Sequence, residues 1–248
     1  MPSVTAKIPP LGRRRRIGLL GGSFNPAHEG HLHISRAALA RLGLDEIWWL
    51  VSPQNPLKSR QGMAPFAARA ASARKAARHA RIRISEIEAD FGTTHTADTL
   101  RRLLRRFPEA RFVWLMGADN LIQINRWRDW TGIFAAMPVA VFARPTYSLR
   151  ALASVAARQF AWARVSEAAA GALTERRPPA WTFLHIRPSA ASATAIRAKV
   201  GRTWTKQVET ERKTRAKPKS KLATSDQRKK KRSRPSRDRR PKKPHRRA

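Results

Sequence analysis

Six short apolar runs, most of them followed by a stretch with helical spacing, leave this chain few folds to choose from. The runs are 16–20 (RIGLL), 46–51 (EIWWLV), 82–87 (IRISEI), 111–116 (RFVWLM), 139–142 (VAVF) and 181–186 (WTFLHI). Most are continuous rather than alternating, the pattern of a strand buried on both faces. Helices are predicted over 31–42, 65–80, 96–107, 120–137 and 149–170. In the third, Leu100, Leu103, Leu104 and Phe107 recur at helical spacing with Arg101, Arg102, Arg105 and Arg106 opposite, a solvated basic face. Strands separated by helices need crossover connections, so the expected fold class is α/β, a doubly wound parallel sheet. Ligands of such sheets bind beyond the carboxyl ends of the strands.

Composition limits the rest. The chain has 248 residues, 42% of them hydrophobic, enough for a packed domain. It has no cysteine, which rules out disulfides, thiolate metal sites and a thiol nucleophile and suits a reducing compartment. Arg13 to Arg16 precede only four apolar or glycine residues before the next glycine pair, too few for a signal segment or a membrane span, so a cytoplasmic protein without membrane contact is expected. The net charge of +36 is unevenly placed: residues 201–248 hold 21 Lys/Arg against 4 Asp/Glu. With Pro218, Pro235, Pro241 and Pro244 and almost nothing apolar, that segment cannot offset its ordering entropy. The expected organisation is a disordered leader (1–14), one folded domain (15–201) and a disordered Lys/Arg-rich tail (202–248). The tail, with its Lys229-Lys230-Lys231-Arg232 run, suits non-specific nucleic-acid contact, as would a passive solubilising extension.

Where the first run ends, the chain reads GGSFNPAHEGHLHIS (21–35). Gly21 and Gly22 are expected to turn sharply and to let a phosphate approach backbone N–H groups. Pro26 is expected to fix the start of the next helix, whose N-terminus favours an anion. His28 and His31, three apart in the first turn, can converge on one phosphate, whereas His33 points elsewhere. GxGxxG and GxxxxGK[ST] are both absent, which argues against a nicotinamide dehydrogenase and a P-loop enzyme.

GGSFNPAHEGH resembles the signature of the nucleotidyltransferases with an H-x-G-H motif, and among them the bacterial nicotinate-nucleotide adenylyltransferases. Further matches follow in the family's order: WWLVSPQNPLK ending at Lys58, THTADTL (94–100), LMGADNL (115–121), NRWRDW (125–130), VFARP (141–145) and SATAIR (192–197). The resemblance implies a Rossmann-like nucleotidyltransferase fold and transfer of AMP from ATP to nicotinate mononucleotide, giving deamido-NAD and pyrophosphate in NAD biosynthesis. It implies His28 and His31 as catalytic. ATP would be held by Gly21, Gly22, Ser23, Phe24, His28, His31, Ser192, Thr194 and Arg197. Nicotinate mononucleotide would be held by Lys58, Thr96, Asp119, Trp127 and Arg144, with Trp127 stacking on the pyridine ring. Mg²⁺ would arrive bound with ATP, with no metal held by the protein itself.

Some of these residues also have plainer roles open to them: Asp119 could cap the helix after its strand, Lys58 and Arg144 could be solvated charges, and Trp130 fits the core better than the site. Two features depart from the family. Ala191 and Ala193 stand where it has Ile and a second Ser, and after Val200 the chain turns polar where the family continues into an apolar, tyrosine-containing segment. Other acceptors, nicotinamide mononucleotide or phosphopantetheine, stay open as alternatives, as does a nucleic-acid-binding protein acting through the tail. The residues leave oligomeric state undetermined.

Overall fold

All six apolar runs become strands in the computed structural model, which describes residues 14–53, 63–187, 189, 191 and 193–200. They are β1 (Arg16–Gly22), β2 (Glu46–Val51), β3 (Ile82–Ser85), β4 (Arg111–Gly117), β5 (Val139–Phe142) and β7 (Trp181–Leu184), joined by a two-residue strand, β6 (Arg164–Val165). The sheet order is β3-β2-β1-β4-β5-β7-β6 and every pairing is parallel, the doubly wound architecture that the alternation requires. The helices are α1 (Glu29–Arg41), α2 (Phe66–Ala76), α3 (Ile87–Phe91), α4 (Thr96–Arg106), α5 (Ala118–Gln123), α6 (Trp130–Ala136), α7 (Ser148–Leu152), α8 (Val155–Gln159) and α9 (Ala193–Val200).

Continuous apolar strands are buried here because both faces of the sheet are covered. Ile17, Leu19, Trp48, Leu50, Trp114 and Met116 pack on one side with Leu100, Leu103, Ile133 and Phe134. Leu20, Ile47, Trp49, Val51, Val113 and Leu115 pack on the other with Leu32, Ala38, Leu39, Ala70 and Ala73. Adjacent Trp48 and Trp49 thus enter opposite cores, both with no exposed surface, as the two-residue period of a strand dictates. Their ring nitrogens are satisfied locally: Trp48 Nε1 donates to Glu46 at 2.9 Å and Trp49 Nε1 to Ser35 Oγ at 2.7 Å.

Several expectations need correction, the simplest being that the run over 181–186 is strand only to Leu184 and the helix over 65–80 ends at Ala76. The helix expected over 149–170 is broken: Ser154 is extended (φ −68°, ψ 161°) and its hydroxyl caps α8 by accepting from Ala157 N–H, after which the chain enters 3-10 turns and the edge strand β6. Alanine-rich sequence favours helix locally, but pairing with β7 and a hydroxyl able to cap outweigh that weak preference. The helix over 120–137 is broken too, because Trp127 is extended (ψ 142°) and Asp129 is left-handed (φ 50°), so Trp127 and Trp130 do not share one helix face. The third run stops at Ser85, whose hydroxyl accepts from Ile87 N–H, and α3 starts there.

Arg14, assigned by sequence to the leader, already donates its N–H to the Glu109 carbonyl at 3.0 Å. The rest of the leader (1–13) and the tail (202–248) lie outside the described residues, as does Gly201. Among the described residues no helix is long and apolar enough to cross a membrane.

From β1 the chain first builds outward through β2 and β3, then returns to lay β4 on the other side of β1. At this reversal the connecting segments diverge, leaving a crevice beyond the carboxyl ends of β1 and β4. Gly21 and Gly22 end β1 and Gly117 ends β4, so the candidate residues that follow each strand open into that crevice.

Candidate active site

The glycine pair is not itself the turn: β1 runs through Gly22, paired with Val51. Gly21 is required by close packing instead, since a Cβ on it would lie 2.4 Å from Cη2 of the buried Trp114 ring. The chain turns at Phe24, whose φ of 46° is a left-handed conformation that a bulky residue adopts only when its surroundings hold it there. They do so by burying the ring, stacked on Trp49 at 5.2 Å and set 4.8 Å from the His31 imidazole. At 1% exposure, the Phe24 side chain supports the turn from beneath.

His28 is the N-cap of α1 and His31 lies three residues on, their ring centroids 4.0 Å apart. Each imidazole is oriented by a backbone donor: His28 Nδ1 accepts from Gly30 N–H at 3.1 Å, and His31 Nδ1 accepts from His28 N–H at 3.2 Å. With Nδ1 used as an acceptor, the proton of each neutral ring sits on Nε2. Burial, aided by the Arg144 charge, lowers His28 to about 4, so it is a neutral N–H donor at physiological pH. Gly30 admits this geometry, because a Cβ there would lie 2.9 Å from the His28 ring and 3.1 Å from the Ala191 carbonyl. His33 turns away, its Nε2 bonded to the Arg187 carbonyl at 2.7 Å.

That Ala191 contact brings the last motif to the first. Arg197 donates through Nη1 to the Asn25 carbonyl at 2.6 Å and through Nη2 to Thr194 Oγ1 at 3.2 Å, so α9 lies against the turn. Ser192 and Lys58 lie outside the described residues. Asp119, just after β4, pairs with Arg144, just after β5, at 2.9 Å. Its second oxygen, Oδ1, is buried with no partner among the described residues and lies 2.4 Å from where a Cβ on Gly117 would be.

Beside the turn is a cavity of about 300 Å³ lined by Gly21, Gly22 and Ser23 on one side and by Thr96 and Trp127 on others. Thr96 is the first residue of α4, whose N-terminus therefore offers unpaired N–H groups toward an anion in this cavity. Trp127 reaches the wall because the chain is extended at that residue, and Trp130 packs instead edge-on to Phe134 and Phe160. The sequence-predicted residues thus fall into three adjoining groups: the two histidines with Thr194 and Arg197, the Asp119–Arg144 pair, and the cavity walls.

Beside the site, sequence reasoning missed two buried ionisable residues, Arg69 and Glu88. Arg69, in α2 and 1% exposed, gives hydrogen bonds to four carbonyls, those of Ser23 (2.8 Å), Ser52 (2.6 Å), Pro53 (2.8 Å) and Ala64 (3.0 Å). It ties the turn after β1 to the end of β2. Glu88, in α3, lines the cavity at 6% exposure, and burial pushes its carboxyl up to about 7 against the Ser52 hydroxyl and the Arg69 charge, which both lower it. A lone Arg among alanines and one Glu in a short acidic helix carry no motif; the only signal is that each falls on the apolar face of its element.

A family model described as cytidylyltransferase-like matches residues 19–199. Proteins named probable nicotinate-nucleotide adenylyltransferase from Parvibaculum lavamentivorans and Methylorubrum extorquens are each 54% identical to this chain, covering 75% and 74% of it and 92% and 100% of their own lengths. Among solved structures, a Plasmodium falciparum nicotinic acid mononucleotide adenylyltransferase complexed with NaAD is similar with a TM-score of 0.56 and 16% identity over 75% of this chain and 83% of that one. At that identity the likeness is one of fold.

Proposed function

The chain belongs to the cytidylyltransferase-like family, and from that premise we propose that it transfers the AMP moiety of ATP to nicotinate mononucleotide, giving deamido-NAD and pyrophosphate. The observation that carries the mechanism is the pair of imidazoles at the N-terminus of α1, 4.0 Å apart, each with Nδ1 held by a backbone donor. An oxygen of the acceptor's phosphate forms a bond to the α-phosphorus of ATP, and the bond from that phosphorus to the bridging oxygen breaks, its electron pair leaving with pyrophosphate. The attacking phosphate is already ionised, so no base is needed. Catalysis is then positioning and charge stabilisation.

His28 and His31 donate from Nε2 to the α-phosphate oxygens, where charge builds in the transition state, with the N–H groups of the turn and Gly21, Gly22 and Ser23 alongside. Phe24 fixes that turn from below. Arg197, Thr194 and Ser192 hold the β- and γ-phosphates. Thr96 and the α4 N-terminus receive the pyridine carboxylate, Trp127 stacks on the ring, and Asp119, Arg144 and Lys58 hold the rest of the mononucleotide. Arg144 also helps keep His28 neutral.

Mg²⁺ bound with ATP would supply neutralisation of the triphosphate. Imidazole, guanidinium and hydroxyl groups, those of His28, His31, Arg197 and Thr194, surround the turn. That donor set fits a hard cation carried by the nucleotide's own oxygens. A cytoplasmic location fits this use of ATP and an NAD precursor. The tail, by its charge, suits non-specific contact with nucleic acid.

The test is pyrophosphate release with ATP and each of three acceptors. Nicotinate mononucleotide is expected to be the best substrate, because a carboxylate at a helix N-terminus is favoured over a neutral amide. Equal or better turnover with nicotinamide mononucleotide, or activity with phosphopantetheine alone, would replace this reading.

A further inference from the structure

The acceptor cavity contains a carboxyl group where an anionic acceptor must bind. Glu88 lines it together with Ser52, Thr96 and Trp127 and, among the described residues, forms no ion pair. Its hydrogen-bond partner is the Ser52 hydroxyl at the end of β2. Arg69, from α2, is the nearby cation, but its guanidinium is committed to four backbone carbonyls.

Among the described residues, the other charged groups near Glu88 are engaged with partners of their own, are exposed, or line the cavity beside Trp127. In α4, Asp98 pairs with Arg101 at 2.9 Å and lies 4.0 Å from His95 Nδ1, while Arg102 donates to the Phe91 carbonyl at 2.8 Å. Glu86, just before α3, pairs with Arg74, and Asp90, in α3 itself, is exposed. Glu46 lies at the opposite end of β2, bonded to Trp48 and Arg83. Arg126 and Arg128 line the cavity with Trp127. Among the described residues the only charge that acts on Glu88 is the committed Arg69, so a carboxylate brought beside an ionised Glu88 is repelled, whereas a protonated carboxyl can lie beside a carboxylate and donate to it.

We propose that Glu88 sets the charge of the acceptor this cavity takes: an acidic acceptor binds beside the protonated carboxyl, and ionisation of Glu88 shifts preference toward a neutral acceptor, whose amide N–H it can accept. This rests on the reading that the pyridine end of the mononucleotide occupies the cavity. Burial already holds Glu88 at about 7, so the shift falls in the physiological range.

The experiment measures kcat/KM for nicotinate mononucleotide and for nicotinamide mononucleotide from pH 6 to 9 and takes their ratio. Titration of the acceptor phosphate, of ATP and of the histidines affects both substrates and cancels in the ratio. If the amide turns over too slowly, its inhibition constant takes the place of its kcat/KM. In the native enzyme the acid-to-amide ratio is expected to fall with a slope approaching tenfold per pH unit above 7. In Glu88→Gln, neutral throughout, it is expected to stay flat. A flat native ratio, or a Glu88→Gln ratio that falls in parallel with the native one, would overturn the proposal; if the variant does not fold, the native profile alone decides. Adenylyl transfer with a flat ratio removes Glu88 and leaves the function standing. No transfer to either acceptor at any pH overturns both.

Discussion

Replacing Gly21 with alanine tests whether the end of β1 is shaped by the ring behind it or by the turn it was expected to make. The added Cβ would lie 2.4, 3.1 and 3.4 Å from Cη2, Cζ2 and Cζ3 of Trp114. Carbon atoms rest about 3.5–4.0 Å apart, so a gap of roughly 1 Å must open. Trp114 cannot supply it: the residue is 2% exposed, sits in the central strand β4 and is paired with Leu19 of β1. The displacement falls on β1 and the turn that carries His28. Overpacking of this kind costs about 1–3 kcal/mol, and for a domain of this size each kcal/mol lowers Tm by about 2–4 °C, so a loss of about 2–12 °C is expected in a thermal melt. A shift of about 1 Å at the reacting groups costs roughly a hundredfold in turnover, read by pyrophosphate release. Gly22→Ala is the control, since the atoms nearest its Cβ would be those of the Phe24 ring, at an ordinary 3.4 Å or more, and its melting temperature should not drop. Native stability and turnover in Gly21→Ala would refute the packing explanation.

Two further outcomes follow from the same geometry. His28→Ala should lower kcat about a hundredfold or more with KM little changed, as for loss of an oxyanion donor, while His33→Ala should be mild, because its ring turns away to bond the Arg187 carbonyl; near-native turnover in the first would remove His28 from the mechanism. Folding raises the Glu88 carboxyl from 4.5 to about 7, so the folded state keeps its proton longer than the unfolded state and stability is fullest below pH 4.5 and lost as pH rises through 7. The ceiling on that loss is about 3 kcal/mol, so Glu88→Gln should melt above the native protein at pH 8 by more than it does at pH 4.5, and an equal difference at both values would contradict the assignment.

Fold and site differed in how well the sequence revealed them. Continuous apolar runs marked the strands because a doubly covered sheet requires them, and two of the six, β2 and β5, were read to the residue. The two-residue β6 was missed: Arg164 and Val165 have no pattern of their own and become a strand only because β7 presents an edge to them. The overlong helices failed for a related reason. Alanine and leucine set a helical preference over 149–170, but a hydroxyl at Ser154 and a neighbouring strand edge decide the outcome, and neither is visible as periodicity. At the candidate site, the spacing of His28 and His31 was enough to foresee that their rings come together, and the family resemblance pointed to Thr96 and Trp127, which line the cavity. Arg69 and Glu88 were not, because a buried charge has no local signature: its partners are carbonyls and hydroxyls contributed by segments distant in sequence.

The glycines and Phe24 divide the work of the turn between them. Glycines were expected where the chain bends, yet the bend falls on Phe24, with φ of 46°, and the glycines belong to a regular strand. A bulky residue in that conformation costs of order 1–3 kcal/mol, and the compensation is the burial of its ring between Trp49 and His31. With the ring pinned below, the imidazole of His31 has a fixed floor, and Gly30 lets the His28 ring close over the start of α1. A glycine at 24 would bend more cheaply but would leave His31 unsupported. The strain is therefore placed where relieving it would loosen the two N–H donors, which is consistent with a reaction that asks the protein for position rather than for a base.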